Sequence, residues 1–209
     1  MRGFPHQRRR IGATGTRDVP EMLDRVHVLQ ASWMLGRTAR RSLPSLRVAT
    51  NPPSDLEMAP LGAASRPLED WLTTFHLASV VLDPYTNESS WILKTAARIL
   101  EGLRGSDARV NLVVTSDADD ARAFLGPYAD EFLVFCDPDR TTVRALGLSQ
   151  LPAFVFVRVD GTVSAAAEGW NPAEWKQVAE TISQATDWLA PTIPTASDPG
   201  PFRGSPAHD

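Results

Sequence analysis

The 209-residue chain is poor in thiol: Cys136 is its only cysteine. One cysteine excludes an internal disulfide and a cysteine-rich metal site, and the four histidines show no zinc-ligand spacing. Long apolar runs are also missing. None approaches the roughly 20 residues that a membrane span needs, and the basic first 20 residues contain no apolar core segment, so neither secretion nor a membrane span is expected. A reducing cytoplasm is the expected compartment for such a chain.

What is present is ordinary for a folded protein, with 43% hydrophobic residues and a net charge of −4. That charge is unevenly placed. Residues 1 to 66 hold 11 Arg against 5 acidic residues, and the remainder holds 10 basic against 20 acidic residues. Arg8-Arg9-Arg10 is too short for a nucleic-acid site and reads as a solvated basic tail, so no nucleic-acid partner is expected. Residues 1 to 67 read as a basic, largely disordered extension. Within it, residues 21 to 35 carry Met22, Val26, Leu29 and Trp33 on one helical stripe, which either docks on the domain or touches a membrane surface. Met1, Met22, Met34 and Met58 all remain possible translation starts.

From Leu68 the pattern becomes that of a folded domain. Leu68, Trp71, Leu72 and Phe75 have helical spacing and lead into a strand over 76–82 that ends at Asp83-Pro84. After a loop, Ile92, Ala96, Ile99 and Leu103 share one helical face. A second buried strand follows over 109–115, then a short helix with Asp117 as N-cap, closed by Gly126-Pro127. A third strand over 132–136 leads into Asp137-Pro138, the expected start of a helix closing at Gly147. The alternation predicts an α/β fold with helices covering a mostly parallel sheet. The last third departs from it: strands over 153–159 and 162–167 flank Asp160-Gly161, a hairpin signal. Asn171, Pro172 and Glu174 then predict a capped helix start, with Trp170 stapled on Trp175 and Val178, Ile182, Ala185 and Leu189 forming its buried stripe. Five prolines between Pro191 and Pro206 predict that residues 190–209 form a disordered tail without regular structure.

Over residues 68–189 the chain resembles thioredoxin-fold proteins, and among them the TlpA-type thiol:disulfide reductases. The matching pieces are VVL at 80–82, SDADDARAFL at 116–125, FCDPDRTTVRALGL at 135–148, LPAFVFVRVDG at 151–161 and GWNPAEW at 169–175. The resemblance implies a three-layer sandwich, a mixed sheet of about five strands with helices on both faces, and a cis-proline at Pro152. It also implies that an extended peptide is received at the loop after the first strand. In that family this loop reads W-C-x-x-C; here the positions are Thr86, Asn87, Glu88, Ser89 and Ser90. Without a thiolate there is no disulfide exchange. The peroxiredoxin pattern P-x-x-x-T-x-x-C fails as well, because Glu88 and Trp91 fall at its Thr and Cys positions.

The loop therefore reads as a helix cap, with Asn87 or Ser89 taking the free N–H groups. Tyr85, Thr86, Asn87, Glu88, Ser89, Ser90, Trp91, Leu151 and Pro152 form the expected binding groove, for an unidentified protein or peptide and with no cofactor or metal. Trp91 is left open between packing and exposure. The leading functional expectation is a redox-inactive thioredoxin-like binding or scaffold module. The alternative is an oxidoreductase or peroxidase working through Cys136, which otherwise acts as a small buried hydrophobe. A His76–serine pair is opposed by distance, since the strand places them about 20 Å apart. Asp83, Asp117 and Asp137 line one sheet edge, where they would suit Mg²⁺, but two already serve as N-caps. Asn87-Glu88-Ser89 matches a glycosylation sequon that reads as chance in a chain without a leader.

Overall fold

The computed structural model describes residues 49–208. The expected helix over 21–35, the basic cluster and the possible starts at Met1, Met22 and Met34 lie outside the described residues. The centre of the fold is β3 (His76–Leu82), whose residues from Leu77 onward are all buried. Side chains alternate across a strand, so Ala78, Val80 and Leu82 join one core layer while Leu77 and Val81 join the other. β4 (Ala108–Val114) and β7 (Ala153–Val157) divide in the same way, with Leu112, Val114, Phe154 and Phe156 on the first side and Val113, Val155 and Val157 on the second.

β4 pairs with β3 in parallel, and β5 (Leu133–Cys136) pairs with β4 in parallel. On the other flank β7 is antiparallel to β3, with Val81 opposite Ala153, and β8 (Val163–Glu168) is antiparallel to β7. The hairpin expected at Asp160-Gly161 is there, with Gly161 at φ 81°. Two further strands, β1 (Glu57–Pro60) and β2 (Arg66–Pro67), extend the β5 edge and complete the order β2-β1-β5-β4-β3-β7-β8. The sheet thus has seven strands, where about five were expected. Residues 49–67, read as part of a disordered extension, instead place Ala49, Leu56 and Met58 in the second core layer. Pro- and Ser-rich composition concealed strands only two and four residues long.

The first layer is covered by α2 (Asn87–Leu103), α3 (Ala118–Leu125) and α6 (Pro172–Thr186), and the second by the short α1 (Leu68–Trp71) and α5 (Thr141–Ala145). Ile92, Ala96, Ile99 and Leu103 are all fully buried on α2. A four-residue helix, α4 (Tyr128–Glu131), follows Gly126-Pro127.

The caps are mostly as expected. Asp117 accepts from the Asp119 and Asp120 amides at 3.0 Å each. Asn171 accepts from the Ala173 amide at 3.1 Å, and the Trp170 and Trp175 rings meet edge to face at 5.2 Å. Glu174 closes the box through the Asn171 side-chain amide, at 3.0 Å.

Three local readings need correction. Asp137 accepts from the Thr142 and Val143 amides of the first turn of α5 at 3.1 Å each, but the N-cap residue is Arg140 and the helix begins three residues later than Pro138 implied. The intervening turn carries Arg140 at φ 53°. The buried stripe of α6 stops at Ile182 and Ser183: Ala185 is exposed within the helix, and Asp187 turns left-handed at φ 50°, which leaves the exposed Leu189 outside it. The tail is the third. Residues 190–208 cross the domain in defined contacts and end in β9 (Ser205–Pro206), which pairs antiparallel with β6 (Gln150–Leu151). Proline lacks only one donor and fits an edge position, so a Pro-rich segment can still be held where its neighbours supply the bonds.

His76, at the start of β3, accepts a hydrogen bond at Nδ1 from the Val159 amide at 2.8 Å, which requires a neutral ring. Burial, and then Arg158 close by, hold its pKa below the ordinary 6.5. The unfolded chain therefore binds the proton first, so this contribution is full above about pH 6.5 and is lost as pH falls through the lower folded value. The urea midpoint is expected to drop between pH 7 and 5, and His76→Gln should flatten that drop. An unchanged pH profile in the variant would refute the assignment.

Candidate functional site

The site lies where β3 ends and α2 begins. Val81 is opposite Ala153, so the register sets Pro152, which follows the cis Leu151-Pro152 bond, across from Leu82 and next to the loop Asp83–Thr86. Asp83 is 3% exposed and holds the loop from both its backbone and its side chain. Its carboxylate accepts from the Tyr85 amide at 3.0 Å and from Arg140 Nη2 at 2.9 Å. Its carbonyl accepts from the Thr86 amide at 3.2 Å and from the Thr86 hydroxyl at 3.0 Å.

Thr86 is the N-cap residue of α2, with extended φ −115° and ψ 145°, and its side chain makes no cap bond. This corrects the expectation that Asn87 or Ser89 caps the helix. Ser89 is fully buried, and the backbone amide it receives is that of Asp83, at 2.9 Å, upstream of the helix. The Thr86 hydroxyl lies 3.2 Å from the Ser89 hydroxyl. Ser89 thus ties the loop to the helix it precedes. Asn87 and Ser90 are exposed, Glu88 is half-buried, and the Ser90 hydroxyl donates to the Thr86 carbonyl at 3.3 Å.

The expected groove residues lie in three different settings. Tyr85 and Thr86 line a cleft of about 570 Å³ together with Asp83, Thr115, Pro138, Arg140, Ser205, Pro206 and His208. Tyr85 is 68% exposed and its hydroxyl donates to Asp120, an interaction that pushes its pKa up to about 12. Trp91 is 56% exposed, and it meets Phe202 edge to face at 5.5 Å. Leu151 and Pro152 are buried, and Leu151 lies opposite Ser205 in the β6–β9 ladder. As a functional residue Asp83 was singled out in the sequence only as a possible metal ligand, and Arg140 and the tail residues of this cleft were not singled out. The Arg140 signal is the turn DPDR, where a residue with positive φ follows a capping aspartate. For the tail, the only hint is glycine set between prolines at 199–206.

The remaining candidates have structural partners. Cys136, at the end of β5, is half-buried, and burial pushes its thiol pKa up. Asp83, Asp117 and Asp137 are engaged as the Arg140 partner, the α3 cap and the acceptor of the first-turn amides of α5. Among the described residues no three His, Cys, Asp or Glu side chains are gathered as a metal site. His76 sits at the opposite end of β3 from Ser89 and already accepts from Val159.

The Asp83–Arg140 pair is nearly dry, with side-chain exposures of 4% and 15%. Removing one member strands the other charge, which typically costs about 3 kcal/mol. Arg140→Met is expected to lower the unfolding free energy by about that amount in a urea titration. A loss below about 1 kcal/mol would place the pair with weak surface bridges instead.

No family model matches the chain, and no curated protein matches it. Solved structures do. A thiol:disulfide interchange protein, DsbE, from Chlorobium tepidum is 20% identical with a TM-score of 0.54, covering 68% of this chain and 99% of its own. A thioredoxin from Neisseria meningitidis is 15% identical with a TM-score of 0.54, over 66% and 93%. A variant of peroxiredoxin Q from Xanthomonas campestris is 13% identical with a TM-score of 0.53, over 67% and 97%. Taken with the β3–α2 junction and the cis-proline beside it, these likenesses make the fold thioredoxin-like.

Proposed function

We propose that this thioredoxin-like chain is a binding or scaffold module without dithiol chemistry, which seats an extended protein or peptide segment beside Thr86–Trp91 and Leu151-Pro152. The observation that carries the reading is the Thr86–Ser90 loop. Disulfide exchange needs a thiolate that attacks sulfur, and these five positions offer hydroxyl, amide and carboxylate groups. Of the two serines, Ser90 donates its hydroxyl to the Thr86 carbonyl, and Ser89 is buried and bonded to the Asp83 amide. Its activation would need an adjacent base, and His76 stands at the far end of β3. Support for strand binding comes from Gln150-Leu151, a short edge that takes an extended segment in antiparallel register. A reducing cytoplasmic setting suits a chain with one unpaired cysteine.

Insulin reduction in the presence of dithiothreitol tests the reading directly. The full chain is expected to leave the background rate unchanged, and clear acceleration would sink the proposal.

The competing reading gives redox work to Cys136 alone. It has one observation in its favour, the half-exposed position at the same sheet edge as the loop. Burial raises the thiol pKa, however, which reduces the thiolate fraction at neutral pH. Labelling by a disulfide probe at pH 7 is expected to run at least about tenfold slower on the folded chain than on the urea-unfolded chain, consistent with a pKa above the free value of about 8.5. Faster labelling of the folded chain would favour the Cys136 reading.

A further inference from the structure

The segment after α6 is anchored across the domain before it reaches the cleft. Ile193 is buried, and Asp198 pairs with Arg98 at 2.8 Å. The buried Trp170 donates from Nε1 to the Pro199 carbonyl at 2.9 Å, and Trp170 and Phe202 exchange both backbone hydrogen bonds. The chain then runs extended along Gln150-Leu151 as β9. The Ala207 amide donates to the Ser149 carbonyl at 2.9 Å, and Arg140 Nη1 donates to the Ala207 carbonyl at 3.2 Å. Ser205, Pro206 and His208 thereby become one wall of the cleft above Tyr85 and Thr86.

The seat is shaped for this backbone. A Cβ added at Gly169, which has φ +66°, would lie 2.7 Å from the Gly204 nitrogen, and one added at Gly204 would lie 2.6 Å from the Leu151 carbonyl oxygen. Glycine on both sides lets the two backbones approach, while Phe202 rests on Trp91 and Ala207 is fully buried. The hold is nonetheless local. β6 and β9 are two residues each, Pro206 has no amide to donate, and Arg203, Pro206 and His208 are exposed. Segments with few buried apolar contacts and few ladder bonds open at free energies well below global unfolding.

We propose that Phe202–Ala207 is the groove's resident ligand, held in cis, and that the external partner is an extended peptide of the same design. That design is an aromatic residue, glycine two positions later and a small residue three positions beyond, as in Phe202, Gly204 and Ala207. The inference rests on the binding reading of the groove and specifies its ligand. The free chain blocks its own site. A tethered segment acts at an effective concentration on the order of millimolar, so an outside peptide enters only as the tail leaves.

A fluorescein-labelled peptide with the sequence of residues 199–208 tests this by anisotropy, titrated against the full chain and against full-length Gly204→Val. The new side chain meets the Leu151 carbonyl and dislodges the tail. The variant is expected to bind the peptide at least tenfold more tightly than the unaltered chain. A peptide carrying the same Gly204→Val change should bind neither protein. Equal affinity for the two proteins, or no binding to the variant, overturns the proposal. Hydrogen exchange on the unaltered chain decides the matter if the variant does not fold. Protection factors for the Phe202 and Ala207 amides should be at least tenfold below those of Val80 and Val81. A single common protection factor would make the tail a permanent strand and overturn the proposal. Insulin reduction is a separate readout: activity there would remove the non-redox reading and leave the result on tail exchange standing.

Discussion

A carboxylate at the buried end of a central strand must be satisfied, and at Asp83 the surrounding structure is arranged to do so. One oxygen accepts from Tyr85 and the other from Arg140, while the main chain of the same residue engages Thr86 and Ser89. Each partner belongs to a different part of the molecule. Tyr85 and Thr86 form the loop, Ser89 is in α2, and Arg140 leads into α5 and reaches on to the Ala207 carbonyl. The geometry of the junction follows from neutralising this one charge. A buried group left unpaired costs several kcal/mol, so loop, helix start and tail are held together by that penalty as much as by their own contacts.

The sequence was most legible where periodicity and capping chemistry act locally. The strand His76–Leu82 could be read directly from its apolar run Val80–Leu82, because a strand buried on both faces carries apolar residues on either side. Asp117 and Asn171 were legible because the first turn of a helix leaves donors free, and few side chains serve them. Legibility failed where a residue's partner is far away in the chain. Asp137 was recognised as a cap, but α5 starts only after Arg140, whose partner Asp83 is 57 residues distant in sequence. Leu189 continued the α6 stripe in projection, yet Asp187 ends the helix first in a left-handed turn. The tail was the largest miss. Its composition lacks periodicity, and its order comes from Trp170, Arg98 and Gln150-Leu151, partners in other elements that supply the bonds its prolines cannot make.

The loop that follows β3 shows how hydroxyl groups at a helix start are put to structural use. A helix start beside a buried strand stabilises negative charge, and a thiol there becomes a better nucleophile. A serine gains nothing comparable, since its hydroxyl stays protonated near neutrality. Ser89 is used instead as an acceptor for the Asp83 amide and as a neighbour to the Thr86 hydroxyl, which makes it part of the scaffold. Thr86, Ser89 and Asp83 are thus turned inward on one another. Asn87 and Ser90 stay outward, together with Tyr85 and Trp91, which present apolar ring surface.

That outward face also explains why the tail sits where it does. A short strand edge such as Gln150-Leu151 presents unpaired donors and acceptors, and exposed edges invite pairing with any extended chain nearby. Covering the edge with a segment of the same molecule removes the hazard. The cover must approach closely, which is why Gly169 and Gly204 meet backbone to backbone. The cover is short, with two residue pairs in the β6–β9 ladder, the Trp170–Phe202 pair beside it and Ala207 held by Ser149 and Arg140, and so small a unit opens more readily than the central strands. Under the proposed exchange of the tail, edge protection and ligand binding are two consequences of one geometry. Which of them dominates is set by how the opening free energy of residues 202–207 compares with the affinity of an incoming strand.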